Sequence, residues 1–356
     1  MKYEVALVTG GAGFIGAALS SYLVANCKQV VAIDNLHPQV HPTGEPAFGF
    51  DPAVDLIVGD ITDPAVWDEV LNEVHPDLVV HLAAETGTGQ SLTESTRHTM
   101  VNVVGTSVML DSLQRHRAVP KKFVLCSSRA VYGEGAWCYT KGEYKGQKFY
   151  PGIRSRQMFE ASNWDFVNAE PLPMNSQIVE RHPESVYGVT KCAQEDLLHL
   201  WCDAFGSTVA ILRLQNVYGP GQTPSNPYTG IMSLFTNKAR SGEAIPLYED
   251  GKVLRDFVYI DDVVNACIAA IESSDALPCP VDIGSGTSTS ILEAAKIISK
   301  IYGSPAPYIT GEWRHGDVRH AWADPLLAKE LLGFESQVSV KDGFACLARW
   351  IDSDAD

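Results

Sequence analysis

A glycine-rich turn between a short apolar strand and an apolar helix is the feature that most constrains the fold of this chain. Residues 5–8 are the apolar run Val-Ala-Leu-Val, and residues 9–16 read Thr-Gly-Gly-Ala-Gly-Phe-Ile-Gly. Gly10 permits a tight turn, Gly13 lets the backbone approach a pyrophosphate, and Gly16 allows close packing of the helix on the strand. The N-terminus of that helix presents N–H groups to an anion. This pattern predicts a dinucleotide-binding unit.

The carboxylate of Asp34 closes the next apolar run, residues 30–34. An acid about twenty residues after the glycine turn accepts hydrogen bonds from an adenosine ribose. The same charge repels a 2′-phosphate, so the sequence favours NAD over NADP. A second acid, Asp60, ends the third predicted strand and is followed by Ile61. This pair is interpreted either as a loop that meets the adenine or as an ordinary polar loop.

Strands and helices alternate through the first half of the chain, as apolar runs separated by amphipathic segments. The predicted strands are residues 5–8, 30–34, 55–58, 78–82, 123–127 and 208–212. The predicted helices are residues 14–24, 64–74, 97–115 and 185–204. Strands that alternate with helices of this length are typical of a parallel sheet. The sequence therefore predicts an α/β fold with a Rossmann-type, doubly wound parallel sheet.

The regular alternation ends near residue 214, which predicts two parts of the chain. Residues 1–214 form the expected dinucleotide-binding domain, and residues 215–356 form a smaller, irregular C-terminal lobe, with the chain free to cross back between them. Residues 133–184 form a long insertion that is too rich in aromatic residues for a disordered loop. We interpret it as a folded excursion in which Trp137 or Tyr139 walls the substrate pocket; a packed surface excursion is the alternative.

Composition excludes several classes of partner. The net charge of −16 argues against nucleic acid or an anionic membrane as a partner. No apolar run is long enough to span a bilayer, and the N-terminus lacks the features of a signal peptide. The eight cysteines form no C-x-x-C pair, so neither a metal site nor a disulfide framework is predicted. Reduced thiols in the cytoplasm are the expected state.

Tyr187 and Lys191 lie four residues apart on the predicted helix 185–204, which places phenol and ammonium on one face. A phenol has a pKa of about 10, so it is a poor base at neutral pH. A neighbouring ammonium stabilises the phenolate and lowers its pKa toward the working range. Tyr248 and Lys252 share the spacing, but the Asp-Gly between them predicts a turn that breaks the facing geometry.

With these motifs assembled, the chain resembles the extended short-chain dehydrogenase/reductase family, and within it the nucleotide-sugar epimerases and dehydratases. The resemblance runs from residue 5 to about residue 334. The segments that carry it are residues 9–16, 81–84, 127–128, 187–191, 212–216 and 255–262. It implies that Ser128 hydrogen-bonds the reacting sugar hydroxyl, that Tyr187 is the acid and base, and that Lys191 also holds the nicotinamide ribose.

The resemblance also implies two sets of binding residues. The residues expected to bind NAD are Gly10, Gly13, Phe14, Ile15, Gly16, Asp34, Asn35, Asp60, Ile61, Leu82, Ala83, Ala84, Tyr187 and Lys191. The residues expected to bind a nucleotide-diphospho-sugar are Thr86, Thr88, Ser128, Arg129, Asn216, Thr229, Gly230, Leu247, Tyr248, Arg255, Arg314 and Asp317. In the second set, Asn216 and Arg255 would bind the diphosphate. Arg314 would reach the phosphates, Asp317 would meet the nucleoside ribose, and Tyr248 would stack on the base.

The residues after Ser128 indicate the reaction. Relatives that eliminate water carry an acidic pair there, whereas this chain has Arg129 and Ala130. The resemblance therefore implies inversion at C4 by reversible hydride transfer through a 4-keto sugar. A nucleotide-sugar 4-ketoreductase and an epimerase acting at C2 remain alternatives. A non-catalytic dinucleotide sensor of the same fold is disfavoured, because Ser128, Tyr187 and Lys191 are all present.

Four further segments, residues 85–91, 128–136, 225–230 and 316–324, are similar to bacterial 4-epimerases of dTDP-L-rhamnose or related nucleotide sugars. The substrate class left open is a dTDP-6-deoxyhexose or a UDP-hexose.

In relatives, the helices matching residues 97–115 and 185–204 pair across a two-fold axis. Both helices carry apolar residues on more than one face here, so a homodimer is expected.

Overall fold

A seven-stranded parallel sheet forms the centre of the computed structural model, which describes residues 3–223, 230–274 and 276–353. The strands are β1 (Val5–Thr9), β2 (Gln29–Asp34), β3 (Asp55–Val58), β4 (Leu78–His81), β5 (Lys122–Ser128), β6 (Trp137–Tyr139), β7 (Lys148–Phe149), β8 (Ala169–Pro171), β9 (Thr208–Leu214), β10 (Asn216–Tyr218), β11 (Pro246–Leu247), β12 (Leu254–Tyr259), β13 (Val281–Ile283), β14 (Ser288–Ser290), β15 (Tyr308–Ile309) and β16 (His320–Ala321). The helices are α1 (Phe14–Asn26), α2 (Pro64–Glu73), α3 (Ser95–Thr99), α4 (Thr106–Arg115), α5 (Arg156–Glu160), α6 (Val186–Phe205), α7 (Ile231–Arg240), α8 (Ile260–Glu272), α9 (Ile291–Tyr302), α10 (Leu326–Leu332) and α11 (Val340–Ser353).

The strand order of the main sheet is β13-β9-β5-β4-β1-β2-β3, and every neighbouring pair is parallel. The predicted doubly wound parallel sheet is confirmed. The seventh strand, β13, was not predicted, because three residues are too few to show a pattern. It pairs with β9, so the chain returns to the main sheet well after residue 214.

Helices cover both faces of the sheet, which is why its strands are almost continuously apolar. One apolar cluster holds Leu19 and Leu23 of α1 together with Val263 and Cys267 of α8. A second cluster on the opposite face is built from α2, α4 and α6, with Trp67 fully buried. Burial of a side chain of Leu size contributes about 1.5–3 kcal/mol, so both layers hold the sheet firmly.

The predicted single helix 97–115 is interrupted. A π-helical turn, Met100–Gly105, separates α3 from α4. The wider turn directs the Asn102 side chain inward, where its Oδ1 accepts from Glu85 N (2.7 Å) and its Nδ2 donates to Thr190 Oγ1 (2.9 Å). Such turns place a polar group at a defined point beside a site. Here the turn ties the loop after β4 to α6.

The insertion 133–184 folds as a three-stranded antiparallel sheet, β7-β6-β8, with the short helix α5. Its aromatic side chains pack on one another, as Trp137 does on Phe166 and Tyr139 on Phe149. Phe159 stacks on Trp313 of the C-terminal lobe. No residue of the insertion lines the cavity at Gly10 and Asp34 or the adjoining cavity at Ser128 and Tyr187. The expected wall of Trp137 or Tyr139 is therefore absent from these cavities, because both rings are used in packing.

The C-terminal lobe packs α7, α9 and α11 around a small sheet built on β10, β12, β14 and β16. Phe257 and Phe344 are among its fully buried side chains. Throughout the described residues, every helix is too short or too polar to cross a bilayer.

Candidate active site

The glycine turn closes tightly against the loop after β4. Gly10 has a φ of +66°, and a Cβ there would lie 2.6 Å from Ala83 N, so neither the conformation nor the space admits a side chain. A Cβ on Gly16 would collide with the backbone of Gly11, so this glycine packs against the turn itself rather than against the strand. Gly13 is the N-cap of α1 and has no side chain between the helix N-terminus and solvent.

Asp34 lies at the end of β2 and is 8% exposed. Its Oδ2 accepts a hydrogen bond from Ala12 N (3.1 Å), and its Oδ1 accepts one from Leu36 N (2.9 Å). The carboxylate thus braces the glycine turn and keeps lone pairs for a ribose. His41 Nε2 lies 3.7 Å from Asp34 Oδ1. Sequence reasoning did not identify this histidine.

A cavity of about 140 Å³ collects most of the residues predicted to bind the cofactor. These are Gly10, Gly13, Asp34, Asn35, Asp60, Ile61, Leu82, Ala83 and Ala84. Asp60 is part of a polar loop, since its Oδ2 accepts from Asn35 Nδ2 (3.2 Å). The glycine-rich turn and the helix N-terminus fit the phosphates of NAD, and the carboxylate at the far end fits its adenosine ribose.

The substitution Asp34→Ala is expected to weaken NAD binding by about 1–3 kcal/mol, because the ribose hydroxyls lose a buried acceptor. Calorimetric titration of cofactor-free protein measures this directly. Asp34→Asn is the matched control, because it keeps the size and one acceptor oxygen but removes the charge that disfavours NADP. Tighter binding of NADP than of NAD by the unaltered protein would contradict the expectation.

A second cavity of about 450 Å³ adjoins the first and shares Gly10, Gly13, Leu82, Ala84 and Thr86 with it. It brings together predicted residues from both sets: Phe14, Ile15, Gly16, Thr88, Ser128, Arg129, Tyr187, Lys191, Asn216 and Gly230. No Asp or Glu belongs to the described residues that line it. Thr229 lies outside the described residues.

Tyr187 stands in the first turn of α6, directly opposite the end of β5. Ser185 caps this helix, its Oγ accepting from Gly188 N (3.0 Å). Burial raises the pKa of Tyr187, whereas a hydrogen bond with Ser128 and the charge of Arg129 lower it. Arg129 thus adds a positive charge near the phenol, and the effect that the sequence predicts for Lys191 stays a prediction.

Lys191 is held one turn further along α6. Its Nζ donates to Cys126 O (3.0 Å) and to Gln194 Oε1 (2.8 Å). Burial lowers the pKa of Lys191 to about 8. Gln194 was not among the predicted residues, although its i+3 spacing from Lys191 was a usable signal for this contact.

Two arginines lie close to each other here: Arg129 lines the second cavity, whereas Arg255 lines neither cavity. Arg129 Nε donates to Asn216 Oδ1 (3.1 Å), and Arg255 donates to the carbonyl oxygens of Val318 (2.6 Å) and Arg319 (3.2 Å). Burial, followed by the like charge of Arg129, lowers the pKa of Arg255 to about 9. Both side chains are half-buried, and neither has a carboxylate ion pair among the described residues. Such a pair of guanidinium groups favours an anion such as a diphosphate.

The remaining predicted substrate residues line neither cavity. Leu247 is only 1% exposed and belongs to the apolar core of the C-terminal lobe. Tyr248 is 36% exposed, with the Arg314 guanidinium 5.2 Å from its ring centroid. Asp317 lies near Arg255, and desolvation raises its pKa. Arg314, Tyr248 and Asp317 therefore lie together, beside but outside the second cavity.

A buried ion-pair network joins the insertion to this part of the lobe, and the sequence analysis missed it. Arg154 binds both carboxylate oxygens of Glu249 (2.9 and 2.8 Å), and Arg319 binds Glu249, Asp165 and Asp250. Glu249 has a φ of +54° and directly follows Tyr248. The two arginines are far in sequence from the carboxylates they bind, so no local signal could have paired them.

Comparison with known proteins identifies the family. The family model described as "NAD dependent epimerase/dehydratase family" matches residues 6–284. The chain belongs to this family. Its predicted place among nucleotide-sugar epimerases and dehydratases is confirmed, and so is NAD as the cofactor.

Individual relatives match over almost the whole chain. A dTDP-L-rhamnose 4-epimerase from Burkholderia thailandensis is 48% identical over 98% of this chain and 95% of its own. The crystal structure of UDP-glucose 4-epimerase from Thermotoga maritima with UDP-glucose is 28% identical, with a TM-score of 0.80 over 99% of this chain and 100% of its own. A UDP-glucuronic acid 4-epimerase from Bacillus cereus, in complex with UDP-glucuronic acid and NAD, is 26% identical, with a TM-score of 0.75 over 98% and 99%.

Proposed function

We propose that this protein is an NAD-dependent nucleotide-sugar 4-epimerase. The observation that carries the proposal is the make-up of the second cavity. Ser128, Tyr187 and Lys191 face it beside the glycine turn, and no described residue that lines it is Asp or Glu. Elimination of water from the sugar needs an acid and a base at this point, whereas reversible hydride transfer needs only the phenol.

The residues of the chain perform the proton part of this reaction. Ser128 holds the C4 hydroxyl of the sugar, and the Tyr187 phenolate removes its proton. When bound against the glycine turn and Asp34, NAD would supply the acceptor and the donor for the C4 hydride. After the 4-keto sugar has turned over, the Tyr187 phenol gives its proton back to the C4 oxygen, which completes inversion at C4. Asn216 and Arg255 would hold the diphosphate while the sugar rotates.

The substrate proposed is a dTDP-6-deoxyhexose of the L-rhamnose type. The support is the 48% identity to a dTDP-L-rhamnose 4-epimerase over nearly the full length of both chains. Incubation with dTDP-L-rhamnose, UDP-glucose, UDP-glucuronic acid and a GDP-sugar, followed by NMR of the sugar C4 proton, tests the substrate. Turnover of UDP-glucose alone would overturn the deoxysugar assignment and keep the 4-epimerase. Inversion at C2 instead of C4 would overturn the reaction itself.

A 4-ketoreductase is the competing function, since it uses the same Ser, Tyr and Lys. An epimerase regenerates its cofactor in each cycle and has no need to release it, whereas a ketoreductase exchanges it after one hydride delivery. Dialysis followed by denaturation and measurement of released NAD separates the two. Epimerisation without added cofactor supports the proposal, and strict dependence on added NADH or NADPH contradicts it.

The proposal extends to a homodimer in the cytoplasm. Apolar side chains stand exposed on one face of α6, with Val189 54% and Leu200 68% exposed, and Met100 of the adjoining π turn is 44% exposed. A second chain would cover them. All eight cysteines are free thiols, which suits a reducing compartment. Light scattering at micromolar concentration tests the dimer, and a stable monomer would overturn it.

A further inference from the structure

Tyr248 is partly exposed, and the placement of its ring depends on the residue that follows it. The Arg314 guanidinium lies 5.2 Å from the ring centroid of Tyr248. Glu249 has a φ of +54°, a conformation that residues with a side chain rarely adopt. A residue keeps such a conformation only where its surroundings hold it. The contacts of Glu249 therefore also fix where Tyr248 lies.

Guanidinium groups hold the side chain of Glu249. Arg154 of the insertion donates from Nη1 to Oε2 (2.9 Å) and from Nη2 to Oε1 (2.8 Å), a bidentate contact that fixes the plane of the carboxylate. Arg319 Nη1 donates to Oε2 as well (2.9 Å), and the backbone N–H of Glu249 donates to Glu312 O (2.7 Å). Since Arg154 and Glu249 are almost fully buried, water does not compete for these contacts.

The same guanidinium reaches the segment of the C-terminal lobe that carries Arg314. Arg154 Nη2 also donates to Asp317 O (2.7 Å). The Cζ atom of Arg154 lies 4.5 Å from the ring centroid of Phe159, which stacks on Trp313 with the centroids 4.9 Å apart. Arg154 thus fixes the chain on both sides of Arg314 and ties it to the insertion.

The side chains at this place fit a nucleoside diphosphate. A partly exposed tyrosine ring offers a stacking face to a nucleobase, and the Arg314 guanidinium beside it adds a positive charge. Arg255 lies next to the same segment, since its Nη2 donates to Val318 O (2.6 Å), and a guanidinium without a carboxylate partner among the described residues suits a diphosphate. Arg154 lines neither of the two cavities, so its effect on such a ligand is exerted through Tyr248 and Arg314.

We propose that Arg154 is a positioning residue for the nucleotide end of the substrate. It holds Tyr248 through the carboxylate of Glu249. It holds the chain at Arg314 through Asp317 O, so that ring and guanidinium are in place before a nucleoside diphosphate binds. The inference rests on the proposed function for the chemical class of the ligand. A residue that acts in this way changes the affinity for the nucleotide and leaves the proton transfer unaltered.

The test measures binding of dTDP, a nucleoside diphosphate without a sugar, to the NAD-bound protein by calorimetry. Stacking of a base on an aromatic ring contributes about five- to 100-fold to affinity, so Arg154→Met is expected to weaken dTDP binding by about tenfold. The KM of the nucleotide sugar should rise by a similar factor, while kcat falls less than about twofold. All measurements are made below the unfolding temperature of each variant, and the affinity for NAD should not change.

Two further variants make the result specific. Arg154→Lys keeps the buried charge but cannot bind both carboxylate oxygens, so it should lose less affinity for dTDP than Arg154→Met and provides the result if the latter does not fold. Arg156→Met removes a charge on the surface of the same segment and should leave dTDP binding unchanged. Full affinity for dTDP in every Arg154 variant that folds would overturn the inference, as would an equal loss of affinity for NAD.

A double-mutant cycle with Tyr248→Ala separates positioning of the ring from general support of the lobe. Tyr248→Ala removes the ring and should weaken dTDP binding by itself. Because Arg154 acts through this ring, an Arg154 substitution added to Tyr248→Ala should weaken binding by less than about threefold more. Fully additive effects would show that Arg154 supports the lobe in some other way and would contradict the inference.

The two proposals fail in distinguishable ways. If no nucleotide sugar is epimerised but Arg154→Met weakens dTDP binding through Tyr248, the proposed function is wrong and the inference on Arg154 is supported. If epimerisation at C4 occurs and the KM of Arg154→Met is unchanged, the reverse holds. Binding of neither dTDP nor UDP by the unaltered protein would also overturn the inference.

Discussion

Replacement of Tyr187 by phenylalanine is expected to lower kcat by at least a hundredfold and to leave NAD bound. The substitution removes only the hydroxyl, and a general acid–base group contributes about 10²–10⁴-fold to the rate. Tyr187 lines the second cavity, so its ring stays in place and the cofactor keeps its other contacts. Turnover by NMR and released NAD after denaturation measure the two effects separately.

Ser128→Ala is the comparison for this variant. It removes a hydrogen bond that positions the sugar hydroxyl but leaves the base, so a smaller loss of kcat is expected. If Tyr187→Phe retained more than about a tenth of the activity, Tyr187 would not be the acid and base. If Ser128→Ala were the more damaging change, the serine would have the larger part in the proton transfer.

Removal of the Arg154 guanidinium is expected to cost about 3 kcal/mol in the free energy of unfolding. The side chains of Arg154 and Glu249 are 1% and 3% exposed, and loss of one partner strands a buried charge, an effect of about 3–5 kcal/mol. We expect the lower value of this range, because Glu249 still accepts a hydrogen bond from Arg319 Nη1 (2.9 Å) when Arg154 is replaced. Unfolding of Arg154→Met by guanidinium chloride measures the change.

Arg156→Met is the matched control, two residues further along the chain. Arg156 pairs with Glu160 on the surface, where the side chains are 76% and 56% exposed, so its loss should change the free energy by less than about 0.5 kcal/mol. Equal effects of the two substitutions would show that the buried network does not anchor the insertion. A selective loss of nucleotide affinity in Arg154→Met would link the network to Tyr248, which precedes Glu249.

The cofactor half of the site was predictable because its determinants are local. The glycine turn, the helix start and Asp34 lie within one βαβ unit, and each performs a task that only a few residue types permit. Position 10 has a positive φ, which favours glycine, and position 34 requires a hydrogen-bond acceptor at the end of a strand. Periodicity indicated six strands of the main sheet for the same reason, while β13 was too short to show any.

The substrate half was harder to predict, because its residues act through contacts between distant segments. Leu247 belongs to a segment that resembles a base-binding one, yet its side chain completes the core of the lobe. The aromatic residues of the insertion indicated a folded segment correctly, but composition could not tell packing from a pocket wall. Trp137 packs on Phe166 and His320 and is 1% exposed.

The sequence by itself determined the parallel sheet and the glycine turn, because each of these follows from spacing along one or two elements. Only the tertiary structure decided which buried charges pair. Arg154 of the insertion and Glu249 of the C-terminal lobe lie 95 positions apart in the chain, yet they meet as an ion pair whose side chains are 1% and 3% exposed. A charge acts over distance in space, and distance in space is what the sequence alone does not contain.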